Sequence, residues 1–504
     1  MTELRLVGMV FLLFSFGLVS RTDAQTKPNI VIIMADDLGY GDVSCYGAKS
    51  VASPNIDRLA TAGVRFTSGY TSGSTCTPTR YSFMTGVYAF RTANTGIAPP
   101  NAPAIIAPGT PTIASLLKSV GYRTAVVGKW HLGLGMERPD WNGELKPGPL
   151  EIGFDQCLVL PTTNDRVPQV LVEGHHVRNL DPNDPLTVSD KKFSEDHPTG
   201  LSHRDTLKLN WSHGHNATIH NGISRIGFYT GGEKARFRDE DLADTWVQES
   251  VAWIEANKTQ PFFLFLASHD LHVPRTPHER FQGATKMGSR GDAIVEFDWC
   301  VGEITNTIER LGLAENTLII VCSDNGPVLD DGYQDSAVEL VGDHKPAGPW
   351  RGGKGSVFEG GTRTPFIASW KGRIAPAAVS ERPITTLDLG ASLASLVGAK
   401  LPSGACRDAI DLSGTLLNTS AAEGRPFVVQ QDNGARNIGL RMGDWKLIRN
   451  RGSDGKKDAK PQRDQLFNLA SDPGETQDLS ESRADELQRL QTKLGEVLAA
   501  GEAR

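Results

Sequence analysis

The sequence predicts an α/β protein: a large, mainly parallel sheet flanked by helices, then a smaller C-terminal α+β domain with a short antiparallel sheet and a terminal helix. Three observations carry this expectation. Apolar runs of strand length recur along the chain, and each stops in a polar or glycine-bearing loop. Stretches of helical character separate them, the alternation that builds a sheet covered by helices. The 504 residues, 39% hydrophobic and 22% charged, are enough for one large core and a second, smaller one.

At the amino end, Arg5, an apolar stretch from Leu6 to Val19 and Thr22-Asp23-Ala24 read as an export signal over residues 1–24. The mature chain then begins near Gln25 and is destined for the periplasm or the extracellular space. Ser15 interrupts the apolar stretch, and no later segment is long enough to cross a bilayer, so stable membrane insertion after signal removal is not expected. The formal charge of −7 comes with intermixed signs and no basic run, which argues against nucleic acid and leaves a polyanion only a local basic pocket. Six scattered cysteines are too few for a disulfide scaffold or a zinc knuckle.

Within the expected large domain, residues 25–382, four strands are legible. Asn29 to Met34 runs into Asp36-Asp37, and Arg123 to Val127 into Gly128-Lys129-Trp130-His131. Pro261 to Leu266 runs into Ser268-His269-Asp270-Leu271-His272, and Thr317 to Cys322 into Ser323-Asp324-Asn325-Gly326. In open α/β sheets ligands sit beyond the carboxyl ends of the strands, so these loops should converge on one site. Their carboxylates, amide, lysine and histidines suit a metal and an anion. From about Asn164 to Glu240 the composition turns polar, with six histidines between His175 and His215, as in an excursion that shapes a pocket. Asp330 to Gly361 is a second loop-rich stretch. The smaller domain is expected over residues 383–504. It contains the strand Trp445-Lys446-Leu447-Ile448 and a helix with Leu487, Leu490, Leu494, Val497 and Leu498 on one face.

Adjacent carboxylates at the end of a buried strand repel strongly, so Asp36 and Asp37 call for a cation. Asp324 and Asn325 complete an all-oxygen set of the kind one Ca²⁺ ion prefers, and zinc is disfavoured. Arg80, Lys129 and Lys354 would place three cations around an anionic transition state. His131 and His272 are the acid–base candidates, with His269 a rival for the second place.

Cys76-Thr77-Pro78-Thr79-Arg80, continuing to Met84-Thr85-Gly86, resembles the signature of the sulfatase family, with Thr79 where the family usually has Ser. Further matches are Ala35-Asp36-Asp37-Leu38-Gly39, Gly128-Lys129-Trp130-His131-Leu132-Gly133, Ser323-Asp324-Asn325-Gly326, Gly353-Lys354-Gly355 and Leu466-Phe467-Asn468-Leu469. The resemblance covers nearly the whole mature chain. It implies an alkaline-phosphatase-like mixed sheet and hydrolysis of sulfate esters on a sulfated carbohydrate or an aryl sulfate. It also implies that a maturation enzyme oxidises Cys76 to formylglycine, which joins the metal set. One hydroxyl of the hydrated aldehyde would attack sulfur while His272 and Lys354 assist the leaving alcohol. His131 would then take a proton from the second hydroxyl as sulfate is expelled.

Substrate contacts are expected at Thr163, His213, His215 and Arg225, with Trp211 available to stack on a sugar ring. The spacing of His213, His215 and His220 matches no standard zinc pattern. Two other functions compete. One is a phosphoester or phosphonate ester hydrolase of the same superfamily, and the other is a secreted binding protein that has lost its chemistry.

Overall fold

The computed structural model describes residues 27–92, 96–450 and 463–500, and the export signal expected over residues 1–24 lies outside them. β1 (Asn29–Ala35) is buried along its whole length, as an unbroken apolar strand must be when helices cover both faces of a sheet. The main sheet continues with β2 (Val64–Phe66), β3 (Arg123–Lys129), β4 (Gln156–Leu160), β5 (Val172–Glu173), β6 (His176–Val177) and β7 (Phe262–Ala267). β8 (Thr317–Ser323), β9 (Phe366–Ser369) and β10 (Ala378–Ser380) complete it. Their order in space is β10-β2-β9-β8-β1-β7-β3-β4-β5-β6. The four strands legible in the sequence are neighbours in the middle, β8, β1, β7 and β3, all parallel. β4 extends the parallel set, and antiparallel pairs at both margins make the sheet mixed.

Register fixes where the loops emerge. Ala35 lies beside Ser323, Met34 beside Ala267, Ala267 beside Gly128 and Lys129 beside Leu160. Five strands therefore end level, and Asp36, Lys129, Pro161, Ser268 and Asp324 start along one rim.

Alternation along β1 divides the core in two. Ile30, Ile32 and Met34 pack with α2 (Cys76–Thr85), α3 (Ile113–Lys118) and α6 (Leu389–Val397). Val31, Ile33 and Ala35 pack on the other face with α1 (Pro54–Ala62), α4 (Leu242–Asn257) and α5 (Gly288–Arg310). No described helix is long and apolar enough to cross a membrane.

The smaller sheet is an antiparallel meander of β11 (Val428–Gln431), β12 (Asn437–Met442), β13 (Trp445–Asn450) and β14 (Gln465–Asn468). On it lies α7 (Ala484–Ala499), with Leu490, Leu494 and Val497 buried and Leu487 and Leu498 packed at the margin. This sheet starts well after residue 383. The intervening helix α6 serves both bodies, giving Leu389 and Leu393 to the larger core and Ala391 and Ala394 to the smaller one.

Among the contacts that stitch the smaller sheet to the larger body are a backbone bridge and a buried group of charges. Gln431 forms a parallel bridge with Gly73, donating its N–H to the Ser72 carbonyl and accepting from the Ser74 N–H. Lys446, fully buried, pairs with Glu359 at 2.9 Å and Glu475 at 3.1 Å.

Candidate active site

Asp36 and Asp37 leave β1 and meet Asp324 and Asn325, which leave the neighbouring β8. All four side chains are buried. The Asp37 N–H donates to Asp324 Oδ1 (3.3 Å), and Asn325 Nδ2 donates to Asp37 Oδ1 (2.7 Å). Lys129 contacts Asp36 directly, and Arg80 holds Asp324 Oδ2 through Nε at 3.0 Å and Nη2 at 2.9 Å. Asp36 Oδ1 and Asn325 Oδ1 nevertheless remain buried without a hydrogen-bond partner among the described residues. Burial, and then Asp324, push the Asp36 carboxyl well above its ordinary range despite Lys129. Orphaned hard oxygens among three carboxylates are the arrangement a divalent cation would relieve. A ring nitrogen of His272 lies with Asp36 and Asp37 in one group whose possible ligand atoms are within 4.8 Å of one another.

Cys76 opens α2, with Thr75 extended at the N-cap, so its side chain sits at the positive end of the helix dipole. Arg80, one turn later on the same face, also donates from Nη1 to the Lys129 carbonyl (2.9 Å). Thr79 keeps a hydroxyl bond to the Gly73 carbonyl (2.9 Å), so threonine retains the bond that a serine hydroxyl could make here. Cys76 Sγ lies 3.2 Å from His131 Nδ1, and His131 Nε2 lies 3.1 Å from the Ala98 carbonyl. That carbonyl can only accept, so Nε2 carries the proton and Nδ1 presents a lone pair to position 76. Burial, then Lys129 and Arg166, push the His131 pKa well down. Burial raises that of the Cys76 thiol against Lys129 and Lys354.

A family model for sulfatases matches residues 28–399. The chain belongs to the sulfatase family. It is 45% identical over 481 residues to the N-acetylgalactosamine-6-O-sulfatase of Bacteroides thetaiotaomicron, covering 94% of this chain and 93% of that one. Human arylsulfatase A is 35% identical over 396 residues, covering 78% of this chain and 68% of that protein. A solved structure from work on the metabolism of multiple glycosaminoglycans by B. thetaiotaomicron superposes with a TM-score of 0.90 at 44% identity, covering 94% and 99% of the two chains. The phosphonate monoester hydrolase of Agrobacterium radiobacter, at a TM-score of 0.59 and 17% identity, shares the fold alone. Sulfuric ester hydrolysis is thus the chemistry of this family member.

In this sulfatase Lys354 reaches the same centre from the loop after β8, pairing with Asp37 at 2.9 Å and Asp331 at 2.7 Å. Against burial, these two carboxylates hold its ammonium well above the ordinary lysine value. His272 donates from Nδ1 to the Val273 carbonyl (2.8 Å), leaving Nε2 free, and burial with Lys354 and Lys129 pushes its pKa well down. His269 is occupied elsewhere, because its Nδ1 accepts from Trp246 Nε1 at 3.2 Å.

The four expected substrate contacts separate. Thr163 is buried and bonded to Asp165, and His215 stands behind it with Nε2 2.9 Å from Asp165 Oδ2. His213 is exposed, 3.9 Å from Asp330. Arg225 is a correction: it is fully buried, pairs with Asp239 at 2.7 Å, bonds the Asn164 carbonyl at 2.7 Å and offers no surface to a ligand. Trp211 is half-buried, with Arg204 over its ring at 4.4 Å.

Three residues of the sulfatase site were missed in the sequence: Asp165, Arg166 and Asp331. Asp165 joins Thr163, Arg166 and His215, and lies 4.0 Å from His272 Nδ1. Against burial, Arg166 and His215 hold its carboxyl well below the ordinary range. The available signal was a fifth strand, Gln156–Leu160, running into Pro161-Thr162-Thr163-Asn164-Asp165-Arg166.

Proposed function

We propose that the protein is an exported sulfatase that removes the sulfate of a sulfated carbohydrate. In this reading Cys76, oxidised to formylglycine by a maturation enzyme, is the nucleophile, and one Ca²⁺ is held by Asp36, Asp37, Asp324, Asn325 and the modified residue 76. The observation that carries it is Cys76 at the start of α2, 3.2 Å from the unprotonated nitrogen of His131 and on the helix whose Arg80 holds Asp324 of the carboxylate cluster. The aldehyde hydrate supplies an oxygen nucleophile that can be regenerated, and the cation supplies charge neutralisation.

The chain's own groups do the rest. His131 Nδ1 is placed to take a proton at position 76, since Nε2 is committed to Ala98. Lys129 and Arg80, both buried, and Lys354, largely so, would surround the sulfuryl group with preorganised positive charge. Lys354, kept protonated by Asp37 and Asp331, sets its charge beside the departing oxygen. His272 is held neutral by burial and its cationic neighbours. A bound sulfate anion offsets those cations and favours a proton on Nε2 for the leaving alcohol.

The substrate class rests on the relative named for N-acetylgalactosamine-6-O-sulfate hydrolysis, and a sulfated hexosamine is the substrate we favour. Mass spectrometry of the peptide spanning Cys76, from protein made in its native host, tests the nucleophile. Turnover of N-acetylgalactosamine 6-sulfate, nitrophenyl sulfate and nitrophenyl phosphate side by side tests the substrate. Unmodified cysteine in active enzyme, or phosphate turnover exceeding sulfate turnover, would overturn this assignment.

A further inference from the structure

We propose that Arg166 and Asp331 form a sugar subsite beside the sulfate, built for two neighbouring uncharged groups on the sulfated ring. The inference rests on the sulfated-carbohydrate reading above and goes beyond it by naming the residues and the charge they accept. Cys76, Arg80, Lys129, His131 and His272 are all at most 3% exposed, so they can touch little beyond the sulfuryl group and its bridging oxygen. Arg166 and Asp331 keep more surface, their side chains being 16% and 33% exposed.

Each is anchored at one end and open at the other. Arg166 Nη1 donates to Thr163 Oγ1 at 2.8 Å and to Asp165 Oδ1 at 3.3 Å, while its Nε and Nη2 have no partner among the described residues. Asp165 is in turn braced by His215, so the guanidinium stands on a buried support. Asp331 Oδ2 accepts from Lys354 at 2.7 Å, and Oδ1 has no partner among the described residues. Arg166 shares Asp165 with His272, whose Nδ1 lies 4.0 Å from Asp165 Oδ1, and Asp331 shares Lys354 with Asp37. Gly332, next to Asp331, packs against the ring of His215, which braces Asp165, so the two anchors belong to one wall of the site. A planar donor next to a free carboxylate oxygen suits adjacent ring hydroxyls, one oxygen accepting from arginine and one hydroxyl donating to aspartate. A second sulfate or a carboxylate on the same ring would meet the charge of Asp331, so the subsite selects against it.

The test uses Arg166→Ala, Asp331→Ala and Asp331→Asn in the full-length, matured enzyme. Substrates are N-acetylgalactosamine 6-sulfate, its 3-deoxy and 4-deoxy analogues, its 4,6-disulfate and nitrophenyl sulfate. Both alanine variants should lower kcat/KM on the monosulfated sugar at least about tenfold more than on nitrophenyl sulfate, the loss common to both substrates reporting the hold of Asp331 on Lys354. On at least one deoxy analogue the loss should shrink, because the partner hydroxyl is already gone. Asp331→Asn should narrow the preference for the monosulfate over the disulfate by at least about fivefold. Equal losses on sugar and aryl sulfate, or an undiminished loss on both deoxy analogues, would overturn the subsite while leaving the sulfatase reading intact. A wild-type enzyme that hydrolyses nitrophenyl sulfate but none of the sugars would overturn both.

Discussion

Replacing Lys446 with methionine should destabilise the protein through a carboxylate it leaves behind. Lys446 is fully buried between Glu359 Oε1 at 2.9 Å and Glu475 Oε1 at 3.1 Å. Glu359 retains Tyr70, at 2.5 Å, and Arg363, at 3.2 Å. Glu475 Oε1 has no hydrogen bond of its own, so the ammonium is its only counter-charge among the described residues. Stranding a buried charge of this kind costs about 3–5 kcal/mol. Unfolding entropy of about 2 cal/mol/K per residue sums to about 1 kcal/mol/K for a chain of this size, so Tm should fall by about 3–5 °C. Calorimetry at neutral pH measures it. Adding Glu475→Gln to Lys446→Met removes the stranded charge and should recover more than half of the loss. A single-variant shift under about 1 °C, or a double variant no more stable than the single one, would refute the reasoning.

Three further outcomes are expected. Chelation should lower activity and, for a cation otherwise at about a hundred times its Kd, remove about 2.7 kcal/mol, or about 3 °C of Tm, with Ca²⁺ restoring both; restoration by zinc alone would contradict the oxygen-ligand assignment. Against burial, Asp165 holds the His215 pKa above the ordinary histidine value of 6.5. Its contribution is therefore complete below that unfolded value and lost as pH rises through the folded one, so the Tm gap between wild type and His215→Asn should narrow on the alkaline side. Arg225→Met strands Asp239 and should cost about 3–5 kcal/mol of stability, read by urea unfolding, while leaving the ratio of sugar to aryl sulfate turnover unchanged; a selective loss on sugar would reinstate it as a substrate contact.

The middle of the fold was legible because strands covered on both faces have no alternative to unbroken apolar sequence, as in Asn29 to Met34. Level register then carried the sequence-adjacent Asp36-Asp37 and Asp324-Asn325 to one place. The margins were not legible: Val64–Phe66 and Ala378–Ser380 are three residues long and owe their pairing to neighbours far away in the chain. Gln156–Leu160 begins with a polar residue and is short, so the loop that follows it looked like the start of the polar excursion. Within that excursion, polarity did not mean exposure. Arg225 and Asp239 neutralise each other inside it, and composition alone cannot distinguish such a pair from a binding surface. Asp331 became visible only through Lys354, which lies 23 residues further on.

The bridge from Gly73 to Gln431 also sets a clock. The strand that closes over the segment leading to Cys76 is synthesised about 350 residues after Cys76 itself, and at about 5–20 residues per second it emerges roughly 20–70 s later. Until then the backbone groups of Ser72 and Ser74 have no partner from β11, and the turn before α2 is not pinned. On the proposed oxidation of Cys76, a maturation enzyme would have that interval in which to reach a thiol left only 1% exposed in the finished fold, and the length of the remaining chain would govern its opportunity.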